Sequence, residues 1–91
     1  MSLMLVIAVG KDKPGLVSEV SEAVFDAGGN IEDMDQVVMR NIFVMSMLVS
    51  MKNPERSARK LKKLLKRKSE KTGLNITVYS VKDFEGEKRE Q

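Results

Sequence analysis

The feature that most restricts this chain is Leu3 to Val9, an unbroken apolar run rich in branched residues and closed by Gly10. A strand with no polar alternation has no face to give to water, so it belongs at the centre of a sheet, with neighbours on both edges and cover on both faces. Everything that follows must supply those neighbours and that cover. With 91 residues in all, there is room for one small domain.

Lys11-Asp12-Lys13-Pro14-Gly15 follows the run. Asp12 is placed to cap a helix that begins near Pro14, a residue favoured in the first turn. Leu16, Val17, Val20, Ala23, Val24 and Ala27 then recur at helical spacing, and Gly28-Gly29 supplies an inexpensive stop. Ile31 to Met39 and Ile42 to Met51 read as two strands joined by a tight turn at Arg40-Asn41. In the second of them Phe43, Met45, Met47 and Val49 share one face, taken as the core face. Asn53-Pro54-Glu55 starts another helix, whose apolar stripe is Ala58, Leu61, Leu64 and Leu65 and whose stop is Gly73. Leu74 to Val81 forms the last strand.

The resulting order, βαββαβ, predicts an α+β, ferredoxin-like sandwich: a four-stranded antiparallel sheet with two helices on one face. Right-handed crossovers put the first and third strands at the centre and the second and fourth at the edges. The uncovered face is expected to hold Met4, Val6, Ala8, Val44 and Leu48, a patch suited to burial against a second copy in a homodimer or larger assembly. The domain is assigned to residues 1–82, and residues 83–91 read as a charged, disordered tail.

Composition excludes much chemistry. The chain has no cysteine and no histidine, which removes disulfides, thiol nucleophiles, histidine triads and ordinary zinc sites. No catalytic pair converges, so no enzyme activity, cofactor or metal is expected. Glu32, Asp33 and Asp35 are read as acids blunting an edge strand rather than as metal ligands. The clustered methionines Met39, Met45, Met47 and Met51 are read as core filling. No run is long enough to span a bilayer, and Met1 to Val9 lacks the basic start and cleavage region of a signal peptide, so a cytoplasmic location without membrane contact is expected. Gly10 to Gly15 has the glycine spacing of a nucleotide-binding P-loop, but Leu16 and Val17 stand where that loop needs Lys and Ser or Thr. What remains is a turn whose free backbone N–H groups suit a carboxylate or other anion.

The run Gly10-Lys11-Asp12-Lys13-Pro14-Gly15-Leu16-Val17, then Gly29-Asn30-Ile31, then Phe43-Val44-Met45, resembles an ACT domain over nearly the whole chain. It is most similar to the small stand-alone members related to the regulator of the glycine cleavage system. The resemblance implies a non-enzymatic regulator that binds a small amino acid between subunits. In that arrangement the turn after the first strand meets the start of the second strand of a neighbour. Carried over by position, Asp12 faces the ligand, Lys13, Pro14, Gly15 and Leu16 supply backbone groups, and Asn30, with Ile31 beside it, makes the polar contact from the second strand. Gln36 is a further polar candidate. A regulated enzyme or transcription factor is the implied downstream partner.

The second helix suggests an alternative. Residues 54–72 hold nine Lys or Arg against two Glu, although the whole chain is only +3, so the remainder is acidic. Arg56/Lys60, Arg59/Lys63, Lys62/Lys66, Lys63/Arg67 and Arg67/Lys71 are like-charge pairs at i, i+4, each opposing the helix by about 0.2–0.5 kcal/mol. Lys62, Lys63, Lys66 and Arg67 are the candidate contacts for nucleic acid or another polyanion, without base stacking because no aromatic residue lies among them. A third reading is a ligand-free interaction subunit that docks through the open sheet.

Overall fold

Residues 2–85 are described in a computed structural model of the chain. The apolar run forms β1 (Ser2–Lys11), followed by α1 (Leu16–Asp26), β2 (Gly29–Met39), β3 (Ile42–Met51), α2 (Pro54–Thr72), β4 (Asn75–Ser80) and a short turn of helix, α3 (Lys82–Glu85). The strand order β2-β3-β1-β4 puts β1 inside, as its lack of polar alternation requires. β1 pairs antiparallel with β3 from Ser2↔Met51 to Lys11↔Ile42, and with β4 from Met4↔Ser80 to Val9↔Asn75.

The core lies between the sheet and α1 and α2. Phe43, Met45, Met47, Val49 and Met51 of β3 pack with Leu16, Val20, Ala23 and Val24 of α1 and with Leu61 and Leu65 of α2. Met45, Met47 and Met51 are wholly buried, whereas Met39 is 55% exposed and fills no core.

One expectation is reversed. Met4, Val6 and Ala8 were placed on the uncovered face, yet they are buried beneath the helices, and β1 gives Leu5 and Ile7 to the open side with Val44 and Leu48 of β3. The pairings Val6↔Met47 and Ala8↔Met45 are responsible, because directly opposed residues share a face. An all-apolar strand is equally hydrophobic on both sides, so only its register with a patterned neighbour decides which set turns inward.

The Asp12 cap is also corrected. α1 starts at Leu16, with Gly15 as its N-cap at φ 85° and no side-chain cap. That left-handed residue, which glycine adopts without steric cost, redirects the chain after Pro14. Asp12 then lies too far back to bond the first turn. The turn at Arg40 (φ 47°) and Asn41 (φ 70°) has positive φ at both residues, the geometry that matches the twist of a two-residue hairpin. α2 ends at Gly73, where the Thr72 hydroxyl donates to the Lys68 carbonyl (2.7 Å) and accepts from the Leu74 N–H (3.1 Å). Beyond β4, the Val81 N–H bonds the Leu3 carbonyl, and the Phe84 ring lies 5.6 Å from that of Tyr79. The first residues of the expected tail thus form α3; residues 86–91 lie outside the described part.

α1 and α2 are also joined by charge. Lys68 Nζ bonds Glu19 (2.7 Å) and Glu22, and Lys71 Nζ lies 2.9 Å from Glu19. Hydrogen bonds from Lys68 and then Lys71 hold the Glu19 carboxyl below its usual 4.5. Bonding to Glu19 and then Glu22 raises Lys68 above 10.5.

Two outcomes follow from this packing. A Cβ on Gly29 would meet Met51 Sδ at 2.8 Å and Val49 Cγ1 at 2.9 Å, so Gly29→Ala is expected to lower stability by about 1–3 kcal/mol in urea denaturation. The depressed Glu19 pKa gives stability that is present above pH 4.5 and lost as pH falls through the folded value; the raised Lys68 pKa gives stability complete below pH 10.5 and lost as pH rises through its folded value. Lys68→Met should therefore lower the melting temperature at neutral pH and flatten its decline on acidification below 4.5. An identical acid decline in the variant would show that the clamp adds nothing.

Candidate ligand-binding site

The turn between β1 and α1 is an open shelf. Asp12, Lys13, Pro14 and Gly15 are exposed, and only Leu16 is buried, anchoring the helix in the core. The shelf is tied down at one point, where the Asp12 N–H donates to the Asn41 carbonyl of the β2–β3 hairpin (2.8 Å). The Asp12 carboxylate is committed to no helix cap, and no side chain caps the first-turn N–H groups of α1. A negative side chain and uncapped donors thus belong to one turn, the complements that an ammonium and a carboxylate require.

Asn30 and Ile31 stand elsewhere. Asn30 pairs with Ser50, opposite Leu3, whereas Asp12 follows the Lys11↔Ile42 row. Eight residues of β3 separate the two rows, about 27 Å of strand. Asn30 is exposed at its end of the sheet, and Ile31 is half-buried against the core. Within one chain, therefore, the structure does not bring Asp12 and Asn30 together.

Gln36 is exposed in the middle of β2 and, opposed to Met45, belongs to the helix-side face of the sheet, while its neighbours Asp35 and Val37 border a shallow depression of about 180 Å³ with Ile7 and Val44. A second depression of about 320 Å³ holds Leu5, Asp33, Asp35, Ser46 and Leu48. Both open on the uncovered face of the sheet. β2 contains an irregularity between Ile31 and Asp33, and within it Glu32 accepts a 2.6 Å hydrogen bond from the buried Ser50 hydroxyl. Ser50 carries little signal in the sequence. It is one of two serines in an otherwise apolar strand, which by itself points to no partner. Among the described residues no group of three acids is arranged to hold a metal ion. Lys62, Lys63, Lys66 and Arg67 are all exposed on α2, on the helix layer and away from the open face.

The sheet topology and helix layer define a ferredoxin-like α+β protein. Residues 2–79 match the ACT domain family, and the chain belongs to it. A UPF0237 protein of Methanopyrus kandleri is 35% identical over 78 residues, covering 86% of this chain and 87% of its own. A UPF0237 protein of Methanocaldococcus jannaschii is likewise 35% identical, with the same coverage. Among solved structures, an ACT domain protein from Streptococcus pneumoniae superposes with a TM-score of 0.79 at 28% identity, covering 92% of this chain and 94% of that one. A crystal structure provisionally described as a glycine cleavage system transcriptional repressor gives 0.79 at 25% identity, covering 87% of this chain and 45% of the other.

Because Asp12 caps nothing, Asp12→Ala should leave stability within about 0.5 kcal/mol of the parent, rather than costing the ~1 kcal/mol typical of a lost N-cap. Chemical denaturation of the ligand-free protein measures the difference.

Proposed function

We propose that this protein is a non-enzymatic regulator that assembles as a homodimer or larger oligomer and binds a small amino acid between subunits. The observation that carries the proposal is the separation of Asp12 from Asn30 by about 27 Å of strand. A two-fold axis through the middle of the sheet reverses the strand direction of the second copy. The turn end of one subunit then faces the Asn30 end of the other, and symmetry generates two equivalent sites. In each, the Asp12 carboxylate holds the α-ammonium group, and the first-turn N–H groups beyond Gly15 hold the α-carboxylate. Asn30 from the partner closes the site beside Ile31, and Gln36 lies farther along the same strand.

The open face supports assembly. Leu5, Ile7, Val44 and Leu48 are only half-buried there, on the side of the sheet opposite α1 and α2. Ligand bound between subunits strengthens one arrangement of the pair over others and so changes the surface offered to a regulated enzyme or transcription factor. A non-catalytic role fits the scattered carboxylates, which offer no converging acid and base. The cytoplasm is the proposed location; no helix among the described residues is long and apolar enough to cross a membrane.

Sedimentation at micromolar concentration is expected to show a dimer or larger species. In a thermal-shift screen of the twenty common amino acids, a stabilising ligand should lose its effect on Asn30→Ala while the ligand-free variant melts as the parent does. A clean monomer, or an undiminished shift in the variant, overturns the interfacial site.

A further inference from the structure

α2 places its charge opposite its buried side. At about 100° per residue, Arg56, Arg59, Lys60, Lys63, Lys66 and Arg67 fall within an arc of roughly 120° centred opposite Leu61 and Leu65, with Lys62 on the flank. All are exposed. The two α2 lysines engaged with acids, Lys68 and Lys71, lie toward α1 and are bound to Glu19 and Glu22. None of the cations on the outer arc makes an ion pair among the described residues. The helix therefore retains a row of like-charge neighbours that oppose its own formation and are held by no ion pair among the described residues.

The arrangement is regular as well as strong. Arg56, Lys60, Lys63 and Arg67 form one line along the helix, with a cation every ~5 Å of its axis. The arc is bordered by a depression of about 710 Å³ lined by Arg59, Lys60, Lys62, Lys63, Leu64 and Arg67. On the other flank, a depression of about 350 Å³ carries Lys62 and Lys66 above Ser69 and Thr77. We infer that this face is a binding surface for double-stranded nucleic acid, gripped through its phosphates without reading bases.

The occupant follows from what the face lacks. Helices that lie on membranes bury an apolar side in the lipid, but the apolar side of α2 is already packed on the sheet. Protein interfaces are anchored by buried aromatic or aliphatic residues at their centre, and this arc presents none. The absence of aromatic residues also argues against stacked single strands. A duplex carries one negative charge per ~1.7 Å of axis, counting both strands, so a row of cations along the helix faces a dense array of phosphates. The surface lies on the helix layer, on the opposite side of the sheet from the face assigned to assembly, so it does not depend on the amino-acid site.

The full chain, titrated into a fluorescein-labelled 20-base-pair duplex at several salt concentrations from 50 to 200 mM, tests the inference. Affinity should fall linearly in logarithmic salt and be the same for duplexes of unrelated sequence. Lys63→Gln/Arg67→Gln should reduce the slope by about two, without lowering the melting temperature. Lys52→Gln, a cation off the arc, should leave the slope unchanged. No binding at 50 mM salt, a slope indifferent to the double variant, or tighter binding to anionic lipid vesicles or to poly-glutamate than to duplex would overturn it.

Discussion

The antiparallel pairing of β1 with β3 is the constraint on which the other features depend. Its register, Ser2↔Met51 through Lys11↔Ile42, turns Met4, Val6 and Ala8 toward the helices and leaves Leu5 and Ile7 outside. The same register stations the Asp12 turn beside the β2–β3 hairpin, where one backbone hydrogen bond to Asn41 fixes it. Because β2 returns antiparallel to β3, Asn30 is delivered to the far end. Core, open face and the separation of Asp12 from Asn30 thus come from one set of strand pairings.

Where local chemistry decides, the elements were legible in the sequence. The hairpin at Arg40-Asn41, the strand Ile42–Met51 and the Gly73 helix stop each carry their own signal: residues that tolerate positive φ, a patterned face, a glycine at the C-cap. The buried set of α1 was legible for the same reason, its spacing being helical whatever it packs against. The misread positions are those whose outcome is settled by distant partners. The inward face of β1 depends on a strand forty residues away, and the Glu19–Lys68 and Glu22–Lys68 bonds join residues 49 and 46 positions apart. Asp12 was misread for a nearer reason: the left-handed Gly15 shifts the start of the helix by two residues, which is enough to put a capping side chain out of reach.

The charge distribution gives the fold two distinct sides. On α1, Glu19 and Glu22 meet Lys68 and Lys71, joining helices whose apolar sides already share the core. Asp33 and Asp35 stand on the exposed edge strand, where charge discourages uncontrolled strand addition. The outer arc of α2 is left with charge that nothing in the described chain neutralises. An assembly through the open sheet would keep that arc in solvent on each subunit.

The central claim is that the amino-acid site is completed only by two chains. The most direct measurement mixes Asp12→Ala with Asn30→Ala protein, after exchange of subunits, and counts bound ligand by calorimetry. Neither variant alone should bind. In a mixed dimer the intact Asp12 of one subunit faces the intact Asn30 of the other, so an equal mixture should recover about one quarter of the native sites. Binding that reappears only on mixing is expected of a site shared by two chains. A mixture as inactive as its components, although exchange has been shown, would contradict it.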